Sequence, residues 1–215
     1  MENYANAKRK LFEKTRNNKI AIINGDDIHH QHFMLEGNNN IVIDRDVKIE
    51  NVDFSHLGTE FDFRYLDNSY HVRLNMVGRY NIYNYLTALL LVNKLGFKIE
   101  DILLLNEKLK APAGRMELIK YNTNRYFCLI MLIPLMQLKN VLKSAQEFKK
   151  GKIITIIGCG GNRDATKRPI MGKIAVDNSD YVIFTSDNPR KEEPEAILND
   201  ITANLINDNF EVIVE

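Results

Sequence analysis

The second half of the chain alternates short apolar runs with segments of helical periodicity, and this pattern restricts the possible folds more than any other feature. The runs predict strands, and the segments between them predict helices. The strands are Met116–Tyr121, Tyr126–Ile133, Lys152–Ile157, Tyr181–Thr185 and Glu211–Val214, and the helices are Leu135–Lys149, Pro169–Asp177 and Pro194–Asn207. Such alternation is typical of a parallel, doubly wound α/β domain.

The first half of the chain has a different pattern. Helical spacing predicts Glu2–Asn17, Ile28–Leu35, Tyr80–Leu95 and Ile99–Leu109 as helices, and apolar runs predict strands at Ile20–Ile23 and Ile41–Ile43. From Val47 to Met76 apolar and polar residues alternate, which predicts antiparallel strands with one solvated face. Pro112 and Gly114 interrupt the pattern, so we predict two domains, residues 1–112 and 113–215.

Composition excludes several classes of protein. A formal net charge of +1 gives no electrostatic reason to expect a nucleic-acid or membrane partner. The two cysteines cannot form a disulfide framework, and the five histidines show no metal-ligand spacing, so we expect no metal site built by this chain. The sequence shows no signal-peptide pattern and no apolar run near the ~20 residues of a membrane span, which favours a cytoplasmic protein.

Two consecutive predicted strands end in polar loops, Gly158–Asp164 and Thr185–Arg190. In open α/β sheets, ligands bind at these strand ends. The glycine turn lacks the third glycine of the dinucleotide fingerprint G-x-G-x-x-G, and the chain contains no Walker-type phosphate-binding sequence, so neither motif applies. The alternative to a ligand-binding loop is that the glycine turn is only a tight strand-to-helix connection with solvated charges. Arg163 favours a site, because a guanidinium binds carboxylates in a bidentate manner.

Other candidate residues have equally ordinary alternatives. The second loop offers an acceptor, an amide and a guanidinium in Asp187, Asn188 and Arg190, a set that suits both ends of an amino acid, although Asn-Pro is also simple turn chemistry. Asn81 and Asn84 begin a helix, where capping is a common role for Asn. Arg115 lies at the domain junction and Cys159 in the glycine turn. Instead of binding a ligand, Arg115 could be a salt-bridge partner and Cys159 a small packing residue.

Together these residues resemble the Mur ligases, and most closely the members that add diaminopimelate during peptidoglycan synthesis. The motifs that carry the resemblance are Gly158–Asp164 with Lys167–Gly172, Thr185–Arg190, Gly78–Asn84, Pro112–Glu117, Ile23–Asp27 and Gly58–Phe61. The resemblance covers nearly the whole chain. It implies the end of the family's central domain followed by its Rossmann-like C-terminal domain.

The resemblance implies ATP-dependent amide formation, in which a substrate carboxylate becomes an acyl phosphate that an incoming amine attacks. It implies ATP and Mg²⁺ as cofactors, and UDP-N-acetylmuramoyl dipeptide and meso-diaminopimelate as substrates. Asn81, Asn84 and Arg115 are expected to contact ATP. The residues expected to bind meso-diaminopimelate are Arg163, Asp187, Asn188, Pro189 and Arg190. Diaminopimelate carries a carboxylate that lysine lacks, and Arg190 is a suitable partner for it.

Compared with the family, the chain is expected to be truncated at both ends. The uridine-nucleotide domain, the phosphate-binding loop and the modified lysine of the family are not represented, so no catalytic residue is assigned. We therefore expect the chain alone to be inactive, and a separately encoded N-terminal half is a candidate partner. The alternatives are a non-catalytic diaminopimelate-binding module, the product of a decayed gene, and folylpolyglutamate synthase, against which the two C-terminal loops argue.

One segment departs from the family motif Asp-Tyr-Ala-His-Thr-Pro-Asp, because this chain has the apolar sequence Leu129–Met136 there. Read from the third base of the Leu129 codon, possible codons for the segment spell the family motif. We hypothesise a compensated frameshift or a sequencing error between Phe127 and Leu138. A buried strand that has simply diverged is the alternative, and the codons of the gene distinguish the two.

Overall fold

The structure is a computed structural model that describes residues 2–14, 20–55, 58–112, 115–122, 125–130 and 135–214. The chain divides into two units, Met1–Ala111 and Pro112–Glu215. Each unit has a hydrophobic core of its own, and each is described by itself below.

The first unit is built on a mixed five-stranded sheet with the strand order β1-β2-β3-β4-β5. Its elements are α1 (Glu2–Lys14), β1 (Ile20–Asn24), β2 (Asn39–Ile43), β3 (Val47–Ser55), β4 (Gly58–Tyr65), β5 (Asn68–Leu74), α2 (Arg79–Lys94) and α3 (Ile99–Leu103). Strands β1, β2 and β3 are parallel neighbours, and β3, β4 and β5 are antiparallel. The predicted antiparallel region is therefore confirmed.

Alternation along β4 separates a core face from a charged face. Phe61 and Phe63 are fully buried, whereas the intervening positions lie on the other face. There Glu60 pairs with Arg73 across to β5, with 3.1 Å between the carboxylate and guanidinium atoms. The period of two in the sequence therefore corresponds to one buried and one solvated face.

Helix α2 covers the buried face of this sheet. Its residues Ile82, Leu86 and Leu90 are buried at the spacing of one helical stripe. Tyr85 from the same helix packs edge-on against Phe61, with ring centroids 6.2 Å apart. This packing fixes the helix that carries two of the predicted nucleotide contacts.

The helix predicted at Ile28–Leu35 is wrong, because this segment forms only a short 3₁₀ helix at His30–Phe33. The Asp27 side chain accepts a hydrogen bond from the His29 amide at 2.8 Å, a local turn that competes with helix formation. Ile28 is 86% exposed, whereas Phe33 and Met34 at the end of the segment are partly buried against Ala21, Ile23 and Val42. The helix predicted at Ile99–Leu109 is likewise cut short at Leu103, before a second 3₁₀ turn.

The second unit contains a parallel three-stranded sheet of order β10-β9-β8 and a separate antiparallel hairpin. Its elements are β6 (Arg115–Asn122), β7 (Arg125–Ile130), α4 (Leu135–Phe148), β8 (Ile154–Ile157), α5 (Arg168–Asp177), β9 (Tyr181–Thr185), α6 (Pro194–Thr202) and β10 (Phe210–Ile213). The expected α/β class with a parallel sheet in this half is confirmed.

Two details of this half differ from the prediction. Strands β6 and β7 pair with each other in an antiparallel hairpin, because parallel neighbours need a long crossover that the connection at 122–125 cannot supply. Helix α6 ends at Thr202, whose hydroxyl bonds to the Leu198 carbonyl at 3.0 Å, instead of extending to Asn207. Residues 131–134, the end of the predicted second strand, lie outside the described residues.

The core of the second unit lies between β9 and the helices α5 and α6. Val182 and Phe184 are fully buried against both helices. A methyl group at Gly172 would overlap the Ile201 carbonyl oxygen, so this glycine permits α5 to approach α6 closely.

Among the described residues, no helix is both long and apolar enough to cross a membrane.

Replacement of Phe184 by Ala should destabilise the second unit by about 3–5 kcal/mol, because a fully buried ring leaves a cavity. The matched control is Phe97→Ala, since Phe97 is 59% exposed, and it should change the unfolding free energy by no more than about 0.5 kcal/mol. Urea unfolding followed by circular dichroism measures both. Equal effects for the two variants would contradict this assignment of the core.

Candidate functional site

The glycine turn after β8 lies directly against the loop after β9. A methyl group at Gly158 would come within 2.5 Å of the Thr185 carbonyl oxygen. At Gly161, a methyl group would overlap the Pro189 carbonyl oxygen. The two backbones can approach this closely only because these positions lack a side chain.

Hydrogen bonds join the same two loops. The Gly161 amide donates to the Asn188 carbonyl oxygen at 2.9 Å, and the Arg190 guanidinium donates back to the Gly161 carbonyl oxygen. The Lys191 amide donates to the side-chain oxygen of Asn162 at 3.1 Å. The two loops predicted from the sequence therefore form one connected structure at the carboxyl ends of β8 and β9.

The predicted ligand residues occupy the exposed surface of this structure. Arg163, Asp187, Asn188 and Arg190 are all exposed. The Arg190 Nη1 and Asp187 Oδ2 atoms lie 3.0 Å and 3.8 Å from the position that a Gly160 methyl group would take, so the two charged groups converge above that glycine. Arg190 uses one donor for Gly161, and a guanidinium has five N–H groups, so others remain for a ligand.

Two residues in these loops adopt left-handed backbone conformations. Asn162 and Arg190 both have φ of 54°. Asn adopts this conformation more readily than most residues, whereas for Arg190 it costs roughly 1–2 kcal/mol, so surrounding contacts must hold it. The Arg190 amide donates to the Asn188 side-chain oxygen at 3.2 Å, which supplies one such contact.

A charged cluster centred on one buried arginine lies behind the loops, and the sequence analysis missed it. Arg168, the first residue of α5, is only 3% exposed. Its guanidinium lies 2.8 Å from Glu192 Oε2 and 2.9 Å from Asp200 Oδ2. The other Glu192 carboxylate oxygen accepts a hydrogen bond from the Asn162 amide.

Electrostatics at this cluster keep Glu192 ionised. The hydrogen bond from the Asn162 amide, and after it the Arg168 guanidinium, holds the pKa of Glu192 below its usual value. Cys159 in the glycine turn behaves differently, because burial raises the pKa of its thiol, and its Sγ lies 3.9 Å from Met171 Sδ. Cys159 is therefore a packing residue and a poor nucleophile.

The predicted nucleotide residues of the first unit lie at the start of α2. Asn81 is 6% exposed, and its side-chain amide donates to the Val77 carbonyl oxygen at 2.8 Å. Gly78, the residue before the helix, has φ of 96°, which favours glycine. Asn84 is exposed on the next turn. Strand β6 in the second unit begins at Arg115, whose side chain lies outside the described part of the chain.

A Tyr–Asp pair fastens the start of α2 to the end of β2. The Tyr83 hydroxyl donates to Asp44 Oδ2 at 2.8 Å. Burial, followed by the Asp44 hydrogen bond and charge, raises the pKa of Tyr83 to about 12. Asp44 itself has φ of 78°, and the hydrogen bond from its backbone amide to the Val47 carbonyl oxygen, at 2.8 Å, helps to hold this conformation.

Across the described residues, no group of three His, Cys, Asp or Glu side chains is placed to bind a metal ion.

Comparison with protein-family models identifies both units. Residues 1–92 match the Mur ligase middle domain, and residues 114–215 match the Mur ligase glutamate ligase domain. This chain belongs to the Mur ligase family. The resemblance drawn from its sequence motifs is thereby confirmed.

Individual Mur ligases match the whole of this chain but only part of their own length. A UDP-N-acetylmuramoyl-L-alanyl-D-glutamate–2,6-diaminopimelate ligase of Clostridium acetobutylicum is 42% identical over 100% of this chain and 45% of its own. A solved structure of a ligase of the same name is 30% identical with a TM-score of 0.66, and the match covers 100% of this chain and 46% of that one. The chain thus spans about half the length of these relatives.

The fold also occurs in proteins of much lower sequence identity. The folylpolyglutamate synthase of Mycobacterium tuberculosis, solved as a complex with ADP, has a TM-score of 0.78 at 13% identity, over 98% of this chain and 48% of that one. At that identity the likeness shows the fold alone.

Gly161→Ala should separate the two loops, because the added methyl group overlaps a backbone oxygen that has no flexible side chain to move. We expect a loss of roughly 1–3 kcal/mol in the unfolding free energy of the second unit. Gly151→Ala is the control, since nothing lies within 4 Å of the methyl group there. Chemical denaturation compares them, and an unchanged Gly161→Ala would show that the loops do not approach as described.

Proposed function

We propose that this chain is part of an ATP-dependent ligase that adds meso-diaminopimelate to UDP-N-acetylmuramoyl-L-alanyl-D-glutamate in peptidoglycan synthesis. The observation that carries the proposal is the joined pair of loops at the ends of β8 and β9, where Arg190 and Asp187 converge above Gly160. The names of the ligases that match the whole chain support it.

In this proposal the joined loops bind the incoming amino acid. Meso-diaminopimelate has an ammonium and a carboxylate at each end, whereas lysine has a carboxylate at one end only. Arg163 and Arg190 bind carboxylates, and Asp187 with the Asn188 side chain binds an ammonium group. Pro189 shapes the loop, since its fixed φ restricts the backbone between Asn188 and Arg190. Exposed guanidinium groups with free donors fit a ligand that brings two carboxylates.

ATP is proposed to bind through Asn81, Asn84 and Arg115. The contacts at Asn81 limit its role, because its side-chain amide already bonds to the Val77 carbonyl oxygen. Its side-chain oxygen can still accept a hydrogen bond from an adenine amino group. Mg²⁺ in this proposal enters with the ATP phosphates, since the described residues offer no three-ligand cluster of their own, and Mg²⁺ commonly takes few protein ligands beside phosphate oxygens.

The complete reaction is proposed to need more of the family architecture than these 215 residues contain. The sequence has no G-x-x-x-x-G-K-[ST] motif to bind the transferred phosphate. We propose that the 215-residue chain does not release phosphate by itself, and that a separately encoded N-terminal half completes the site. The second candidate function is a non-catalytic diaminopimelate-binding module, which the location of both amino-acid loops within one unit favours.

Arg190→Ala should weaken meso-diaminopimelate binding roughly 10- to 100-fold, because charge-assisted hydrogen bonds to a carboxylate are lost. Lysine binding should hardly change if Arg190 serves the additional carboxylate. Isothermal titration calorimetry with both amino acids measures this. Arg73→Ala is the control, since Arg73 is an exposed arginine of β5 in the other unit.

The same preparation separates the two candidate functions. Diaminopimelate binding without ATP-dependent phosphate release supports the binding module, or a ligase that requires a partner. Addition of an N-terminal Mur ligase fragment distinguishes these two, because only the partnered ligase gains turnover. A native chain that prefers lysine to meso-diaminopimelate would contradict the proposed substrate.

A further inference from the structure

Arg168 and Glu192 lie outside the set of residues predicted to bind the amino acid, yet they contact both loops that carry that set. Arg168 is 3% exposed at the first position of α5. Glu192 lies just beyond the loop after β9, with its Oε2 atom 2.8 Å from the Arg168 guanidinium. The pair therefore joins a helix to the end of the second loop.

Glu192 also reaches the glycine turn. Its second carboxylate oxygen accepts the Asn162 amide, and its own amide donates to the Pro189 carbonyl oxygen at 3.0 Å. Asn162 in turn accepts the Lys191 amide at 3.1 Å. One carboxylate thus takes part in a closed set of contacts that includes both loops and α5.

The contacts end next to the two proposed carboxylate-binding residues. Asn162 precedes Arg163, and Lys191 follows Arg190. Asn162 and Arg190 are also the two left-handed residues of the loops. A loop that is free to relax would leave these backbone conformations, and the guanidinium groups would move with it.

Charge neutralisation alone does not account for Glu192. Arg168 already has a second carboxylate partner, Asp200 of α6, at 2.9 Å. The Asp200 contact joins α5 to α6, with the Asp200 side chain half exposed, whereas the Glu192 contact extends to the loops. The two acidic residues therefore serve different parts of the unit.

We propose that Arg168 and Glu192 are positioning residues, which hold the glycine turn and the loop after β9 in one arrangement. This arrangement sets the separation of the Arg163 and Arg190 guanidinium groups, so that an amino acid with two carboxylates is bound in preference to one with a single carboxylate. The inference rests on the proposed function, because it assigns the pair to the same site.

The test compares Glu192→Ala, Glu192→Gln and the native chain, with Glu211→Ala as a control at an exposed position of β10. Amide hydrogen exchange is measured at Gly161 and Asn162, and calorimetry gives the affinities for meso-diaminopimelate and lysine. The amide of Val182, which bonds to the Asn209 carbonyl oxygen at 2.9 Å, serves as an internal reference for the rest of the unit.

Glu192→Ala should speed exchange at Gly161 and Asn162 at least about tenfold without affecting Val182, because a bond to a charged acceptor is lost. The ratio of diaminopimelate to lysine affinity should fall by about tenfold. Glu192→Gln keeps an acceptor oxygen but loses the charge, so its exchange rates and affinity ratio should lie between those of the native chain and those of Glu192→Ala. Glu211→Ala should match the native chain.

Unchanged exchange in Glu192→Ala would overturn the inference, because the carboxylate would then not hold the loops. Faster exchange with an unchanged affinity ratio would also overturn it, since the pair would be structural only. If Glu192→Ala unfolds, Glu192→Gln decides, as its lost charge should still lower the ratio measurably. A native chain that binds neither amino acid refutes the proposed function instead, and the inference about selectivity falls with it.

Discussion

The approach of the Gly161 backbone to the Pro189 carbonyl oxygen is the contact on which the candidate site depends. A side chain at Gly161 would overlap that oxygen, so the two strand-end loops could not meet. Once they meet, backbone and side-chain hydrogen bonds fix their relative position, and Arg190 is directed over Gly160. The charged groups that would recognise an amino acid are therefore placed by a steric property of glycine, and the buried Arg168 side chain pairs with Glu192 behind the loops.

In the first unit, packing and hydrogen bonds fix the position of helix α2, which carries Asn81 and Asn84. Helix α2 is held by its buried stripe on the mixed sheet, and its first turns are fastened by the bond between Tyr83 and Asp44. Asn81 bonds to the preceding loop, and Asn84 faces solvent one turn later. The chain belongs to the Mur ligase family, and the nucleotide-binding roles of Asn81, Asn84 and Arg115 stay predictions.

Much of the fold could be predicted from local patterns, whereas the contacts that join distant segments could not. Alternation gave the antiparallel strands, and apolar runs gave β8, β9 and β10 to within a few residues. The helix prediction for Ile28–Leu35 was wrong because the Asp27 side chain stabilises a local turn, and the spacing of apolar residues carries no information about such a side-chain bond. The Arg168–Glu192 pair was missed because Lys167-Arg168 looks like a solvated pair, and its acidic partners lie far along the chain. The five residues of the proposed amino-acid site follow from motifs alone, and their ligand remains a proposal.

The most direct test of the account is an amide chemical-shift titration of the 215-residue chain with meso-diaminopimelate. The account predicts that the largest shifts occur at Arg163, Asp187, Asn188 and Arg190, with smaller ones at Asn162 and Glu192, and that lysine at the same concentration shifts fewer of them. Amides of the first unit, such as those of β4, should not move. Shifts concentrated in the first unit, or equal shifts with lysine, would contradict the claim that the joined loops after β8 and β9 form a site for an amino acid with two carboxylates.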